Sequence, residues 1–91
     1  MANKMYRAGV EMTLSPDQKV AIVQRDQFIR VTFLTSDDQE IPLTRGGGRS
    51  NHIDLVGVTH LDQVIDLIEV VTERTLTLFE EISNVTYYKV S

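Results

Sequence analysis

The segment from Arg45 to Asn51 has residue types and a spacing that suit anion binding. Its three consecutive glycines permit positive φ and a close approach of the backbone to a ligand, so successive N–H groups can form an anion-binding nest. An arginine on each side offers fork-shaped donors that match phosphate. The segment therefore predicts a site for a phosphate-bearing ligand. The predicted contacts in this loop are Arg45, Gly46, Gly47, Gly48, Arg49, Ser50 and Asn51.

The same loop fits no nucleotide-hydrolysis motif. It lacks the lysine and the spacing of a P-loop, and it precedes a short predicted strand instead of a helix. It also lacks the spaced glycines of a dinucleotide-binding fold. A flexible turn whose arginines serve solubility is the alternative interpretation.

Phe28 and Arg30 form a second candidate, because alternate residues of a predicted strand share one face. An aromatic ring beside an arginine can stack on a single nucleic-acid strand and neutralise it. In the alternative interpretation, Phe28 packs under a neighbouring element and Arg30 is solvated.

We expect no catalysis and no bound cofactor or metal. The chain has no cysteine, and its two histidines, His52 and His60, have no partner at a metal-ligand spacing. Its acids at helical spacing are interpreted as a solvated helix face. They are Asp62, Asp66, Glu69 and Glu73.

Composition favours one globular domain spanning residues 1–91, with 42% apolar and 24% charged residues. The first residues do not resemble a secretory signal and no stretch approaches the length of a membrane span, so we expect a soluble, cytoplasmic protein.

The net charge of −4 is unevenly distributed. Residues 1–50 hold seven Lys or Arg against six Asp or Glu, whereas residues 51–91 hold two against seven. This balance argues against tight non-specific binding to duplex DNA but allows a local basic site in the first half.

Alternating apolar residues predict an antiparallel sheet of four to five strands over residues 5–56. Pro42 lacks a backbone donor, which predicts that its strand lies at an edge. The predicted strands cover residues 5–14, 19–24, 28–35, 39–44 and 52–56.

One long C-terminal amphipathic helix is predicted over residues 59–83, with Thr59 as its N-cap, which makes the fold class α+β. About 25 helical residues would span roughly 37 Å, more than the sheet can cover, so we expect part of the apolar face to be shared in an oligomer interface. The β-branched residues leave open a helix that ends near Arg74. Residues 84–91 are predicted to form a tail or a short strand. The predicted interface residues are Leu61, Val64, Ile65, Ile68, Val71, Leu78, Phe79 and Ile82.

The order of elements from residue 19 to residue 71 resembles the single-stranded DNA-binding domain of the transcriptional coactivator positive cofactor four. The resemblance covers a little over half of the chain and is carried by pattern more than by identities. The matching segments are Lys19-Val-Ala-Ile-Val, Phe28-Ile-Arg-Val-Thr-Phe, Ser36-Asp-Asp-Gln-Glu-Ile, Gly47-Gly-Arg-Ser-Asn-His-Ile-Asp-Leu and Leu61-Asp-Gln-Val-Ile-Asp-Leu-Ile.

This resemblance implies a curved antiparallel sheet with a dimerising helix, and a grip on extended single strands by basic and aromatic residues. The family is richer in lysine on its sheet and usually carries a tryptophan early in the helix, where this chain has Leu61 and Val64. By resemblance, Phe28 would be a stacking platform. The implied backbone contacts are Lys19, Arg25, Arg30, Arg45 and Arg49.

The leading functional hypothesis is a non-enzymatic homo-oligomer, most simply a dimer, that binds single-stranded nucleic acid or a small nucleotide through the Gly/Arg loop and the basic and aromatic sheet residues. The alternative is a small inhibitor or adaptor, of the kind that viruses encode, that binds a protein partner through its acidic helix. A third possibility is a subunit of a larger assembly without a ligand of its own.

Overall fold

A computed structural model describes residues 13–45, 48–58 and 60–91, and for Thr44, Arg45, Gly48 and Arg49 the description is of the backbone. The predicted strand over residues 5–14 lies almost wholly outside these residues. So do Gly46 and Gly47 of the predicted phosphate loop and Thr59, the predicted helix cap.

The main sheet has five antiparallel strands in the order β5-β2-β1-β7-β6. A separate two-stranded ribbon, β3 with β4, connects β2 to β5. The strands are β1 Lys19–Gln24, β2 Phe28–Leu34, β3 Leu43–Arg45, β4 Gly48–Ser50, β5 Ile53–Val56, β6 Leu76–Ile82 and β7 Val85–Val90.

A single helix in the described residues, α1 (Leu61–Thr72), lies between β5 and β6 in the chain. Those two strands form opposite edges of the sheet, so the chain must cross the sheet between them. Val64 and Ile68 on α1 are fully buried against the inward-facing side chains of the sheet. The core therefore lies between α1 and one face of the sheet. It comprises Leu14, Val20, Ile22, Ile29, Val31, Phe33, Leu43, Ile53, Val64, Ile68, Leu76, Tyr88 and Val90.

The prediction of one long C-terminal helix after the sheet is wrong. The helix has 12 residues and ends where Glu73 adopts a left-handed conformation with φ of 57°. Beyond it, Leu76 to Ile82 pairs with Val85 to Val90 as a hairpin, and Ser83 in its turn has φ of 55°. The physical reason is that the polar and apolar alternation after Arg74, with its β-branched threonines, forms a strand once β7 supplies backbone partners.

The shorter helix also removes the reason for sharing it between copies. Twelve residues span about 18 Å, whereas the molecule measures 31 × 29 × 22 Å. The five predicted interface residues on α1 all pack against the chain's own core, namely Leu61, Val64, Ile65, Ile68 and Val71. Leu78, Phe79 and Ile82 instead lie exposed on β6.

The predicted edge strand containing Pro42 is also shorter than expected. Leu34 and Glu40 form an isolated bridge, and regular pairing resumes only at Leu43, in the ribbon. The edges of the main sheet are β5 and β6.

Candidate functional site

Among the described residues, no helix covers the face of the sheet opposite α1, and we name it the helix-free face. Because side chains alternate along a strand, the residues between the buried core positions point to this face. It carries Lys19, Ala21 and Val23 from β1, Phe28, Arg30, Thr32 and Leu34 from β2, Asp54 and Val56 from β5, and Val85, Tyr87 and Lys89 from β7, with Phe79, Glu80 and Ile82 of β6 at its edge.

A shallow groove of about 470 Å³ runs over this face. Its floor is apolar, with Ala21, Val23 and Val85, and Tyr87 lies among them. Asp38 and Glu40, from the connection after β2, form one rim. The groove therefore combines a hydrophobic floor with an acidic margin.

Phe79 is the centre of an aromatic and cationic cluster in this groove. The Nζ atoms of Lys19 and Lys89 lie 5.6 Å and 5.1 Å from its ring centroid, within the range of cation–π attraction. The Tyr87 ring lies 6.3 Å away and is tilted by 55°. Phe79 retains 38% of its surface exposed, so one part of the ring is available to a ligand.

Arg30 stacks on Phe28, and its charge is already paired. The guanidinium carbon is 5.5 Å from the Phe28 centroid. Nε and Nη2 donate to the two carboxylate oxygens of Asp54 at 2.8 Å and 3.0 Å. These hydrogen bonds from Arg30 hold the pKa of Asp54 below its usual value, and the nearby His52 ring, 3.6 Å from Asp54, acts in the same direction.

Lys19, another predicted phosphate contact, is likewise paired. Its Nζ donates to Asp38 Oδ1 at 2.8 Å. Among the described residues, the helix-free face and the rim of its groove present three cations and four acids. They are Lys19, Arg30 and Lys89 against Asp38, Glu40, Asp54 and Glu80.

Arg25 lies at the opposite end of β1 from Lys19. It is exposed in the turn between β1 and β2, beside Asp26, Phe28 and Asn84. The predicted phosphate loop follows the other end of β2. Lys19 and Arg25 therefore lie at opposite ends of one strand.

The predicted phosphate loop is a hairpin between β3 and β4. Its register places Thr44 opposite Arg49 and Arg45 opposite Gly48, so the two arginines are not cross-strand partners. Ser50 Oγ donates to the His52 carbonyl at 3.0 Å and accepts from the His52 N–H at 3.4 Å. Ser50 thus supports the turn into β5, while Asn51 is exposed.

The acids predicted to form a solvated helix face have different roles. Asp62 and Asp66 are exposed on α1. Glu69 instead accepts a hydrogen bond of 2.8 Å from the Leu76 N–H, at the start of β6. The acidic surface available to a partner on α1 is therefore smaller than the sequence suggested.

Sequence reasoning missed Asp54, Tyr87 and Lys89. The alternation from Val85 to Val90 could have placed Tyr87 and Lys89 on one strand face, but their meeting with Phe79 depends on the β6–β7 hairpin. The role of Asp54 could not be predicted because its partner, Arg30, is 24 residues away in the chain.

Comparison with known proteins gives no family: no protein-family model, curated protein or solved structure matches this chain. The resemblance to positive cofactor four stays a prediction, and the two strands after α1 depart from the order of sheet then helix that it implies.

In the described ranges, no three His, Asp or Glu side chains gather to hold a metal ion. The described residues also contain no helix with the length and apolar content needed to cross a membrane.

Proposed function

We propose that this chain is a non-enzymatic binding protein, an adaptor or inhibitor, that takes up a polypeptide partner on its helix-free face. The observation that supports this proposal is the groove centred on Phe79 and Tyr87, in which apolar and aromatic side chains are surrounded by charges of both signs. Aromatic residues with few unpaired charges are characteristic of the centre of protein interfaces.

The charge of the same face argues against a nucleic-acid strand as its ligand. Strand binding depends on cations that neutralise several phosphates. Here Lys19 and Arg30 are each held by a carboxylate, and among the described residues of this face acids outnumber cations. If Lys19 or Arg30 left its carboxylate to bind a phosphate, the unpaired carboxylate of Asp38 or Asp54 would lie beside the negatively charged ligand. A polypeptide requires no such exchange.

Peptide selection by display on the purified protein tests the proposal. We expect the wild-type protein to enrich peptides rich in apolar and aromatic residues. Val23→Lys, which places a charge on the floor of the groove, should weaken the binding of a selected peptide by about tenfold or more. Tyr87→Ala should weaken it as well, because an aromatic anchor is lost.

The matched control is Val70→Lys, since Val70 is exposed on the outer surface of α1. Its peptide affinity should equal that of wild type, with circular dichroism and thermal midpoints establishing that all variants are folded. Failure to enrich any peptide, or equal binding by Val23→Lys, would contradict the proposed surface. A short oligonucleotide held by wild type and lost by Tyr87→Ala would instead indicate that this face binds nucleic acid.

A phosphate-bearing ligand is the second candidate, and it is confined to the β3–β4 hairpin. The supporting observation is that β3 and β4 pair directly, which keeps the backbones of Arg45 and Arg49 on neighbouring strands. A small nucleotide, which needs fewer cations than a strand, fits such a site better than an extended polymer.

The double variant Arg45→Ala/Arg49→Ala tests this candidate. Because fork-shaped donors on both sides of the turn are lost, we expect nucleotide affinity to fall by about tenfold or more, with the thermal midpoint nearly unchanged. Native mass spectrometry with a nucleotide panel measures bound mass and copy number together. Arg25→Ala, in the turn at the other end of β2, is the control. Unchanged binding in the double variant removes the hairpin from any phosphate site.

A further inference from the structure

The groove on the helix-free face is lined by more negative charge than positive. Among the described residues of its lining, Lys19 is the one cation, and the acids are Asp38, Glu40 and Glu80. Lys19 Nζ donates to Asp38 Oδ1 at 2.8 Å, so these two charges cancel. Glu40 and Glu80 are exposed, and no ion pair or hydrogen bond within the described residues engages their side chains. The lining therefore carries two unpaired carboxylates.

The register of the strands places these two carboxylates on opposite sides of the groove. Glu80 on β6 pairs with Tyr87 on β7, which pairs with Ala21 on β1. Two strand spacings, about 10 Å, therefore separate Glu80 from Ala21. On the other side, Glu40 forms a bridge with Leu34 of β2, and β2 pairs with β1. Glu40 thus also lies about 10 Å, or two strand spacings, from β1.

The middle of the groove suits an apolar side chain. The cross-strand neighbours of Ala21 are Tyr87 and Thr32, and both have longer side chains. Because the alanine side chain ends at Cβ, it leaves space between these neighbours, and that space lies within the groove. Val23, two residues along the same strand, continues the apolar floor. An apolar or aromatic side chain of a ligand fits this position, with a carboxylate to either side.

We propose that the groove binds an extended polypeptide segment in which one apolar or aromatic residue is flanked on both sides by lysine or arginine. This inference rests on the proposed function and specifies the chemistry of the partner. The apolar residue lies over Ala21, and the two cations face Glu40 and Glu80. Because an extended chain rises about 3.3 Å per residue, about three residues separate the apolar residue from each cation. Such a segment neutralises both carboxylates, whereas an acidic segment would be repelled by them.

Peptide selection on a charge-reversed variant tests this pattern. Wild type should enrich peptides with lysine or arginine on both sides of an apolar residue. The double variant Glu40→Lys/Glu80→Lys should retain the apolar residue and enrich Asp or Glu at the flanking positions, because the charge of both margins is reversed. Both glutamates are exposed, so the thermal midpoint should stay close to that of wild type. A wild-type pool without flanking cations, or a double variant that enriches the same charges as wild type, would overturn the inference.

The affinity of one selected cationic peptide gives a quantitative test. Its Kd should rise by about threefold to tenfold in Glu80→Lys, since an exposed ion pair is weak and its reversal adds repulsion. Glu81→Lys is the matched control, because Glu81 is exposed, adjacent in sequence and in register with Thr86, on the opposite face of the sheet. In the control the Kd should stay within about twofold of wild type, because charges more than about 8 Å away are largely screened at physiological salt.

The flanking cations and the peptide groove fail separately. Apolar, uncharged peptides whose binding is lost in Val23→Lys would overturn the flanking cations and retain the groove. Equal Kd values in Glu80→Lys and Glu81→Lys would do the same. Failure to enrich any peptide would overturn both.

Discussion

Arg30, Asp54 and Phe28 show how a residue suited to one ligand can be engaged by its own fold. The guanidinium is bound at two nitrogens by Asp54 and lies over the Phe28 ring. A bidentate pair of this geometry orients the arginine far more firmly than a single contact would. Arg30 is therefore best understood as a fixed part of the helix-free face, with limited freedom to approach phosphate.

The pair predicts a pH dependence of stability. The folded-state pKa of Asp54 is lowered by Arg30, so the pair stabilises the fold above the unfolded pKa of the carboxyl and loses that contribution as pH falls through the folded pKa. We expect the thermal midpoint of Asp54→Asn to lie below that of wild type at neutral pH, with a difference that shrinks in acid. Calorimetry across this range measures it.

Asp66→Asn is the control for that series because Asp66 is exposed on α1. Its midpoint should stay close to wild type throughout. A constant difference between Asp54→Asn and wild type down to the most acidic condition would contradict the role of the ionised pair.

At the scale of elements, Glu69 connects α1 to β6. The Leu76 N–H lies at the first residue of β6, and the Glu69 carboxylate accepts its hydrogen bond at 2.8 Å. Glu73, in the left-handed conformation, ends the helix four residues later and turns the chain toward β6. The joint between helix and strand thus depends on one side chain that the sequence pattern assigned to solvent.

Replacing Glu69 should weaken this joint. Glu69→Ala removes the acceptor, and we expect a loss of about 1–2 kcal/mol in the free energy of unfolding. Glu69→Gln keeps an acceptor oxygen and should lose less. Denaturant titration gives the free energy, and hydrogen exchange at the Leu76 amide should accelerate in Glu69→Ala. An unchanged exchange rate at that amide would contradict the bond.

At the scale of the whole molecule, the helix α1 buries one face of the sheet. Ile68 is fully buried at the centre of this arrangement, beside Val64 and the apolar side chains of β1 and β2. The core of so small a chain has little reserve, because domains of this size bury a limited fraction of their surface.

Ile68→Ala should therefore be severely destabilising, by about 2–5 kcal/mol, through lost burial and the cavity left behind. Val70→Ala, two residues along the same helix but exposed, should change the free energy of unfolding by less than about 0.5 kcal/mol. Urea titration of both variants measures the contrast. Similar losses in the two would mean that α1 does not pack on the sheet through the face described.

Local pattern was sufficient for several elements and misleading for one. The alternation around Val20 and Ile29 predicted β1 and β2 close to their observed bounds, because a half-buried strand leaves a period-two signal. The apolar steps through Leu78 and Ile82 predicted helix, because both periods fit a short apolar stretch. The hairpin that decides between them depends on contacts with β1, far earlier in the chain.

The sequence by itself determined that an antiparallel sheet is followed by an amphipathic helix, since local periodicity encodes such features. Only the tertiary structure decided that β7 lies inside the sheet and β6 at its edge. It also decided that Lys19 and Arg30 are paired with acids distant in the chain. The physical reason is that strand order and ion pairing are set by long-range backbone and side-chain partners, which no local pattern specifies.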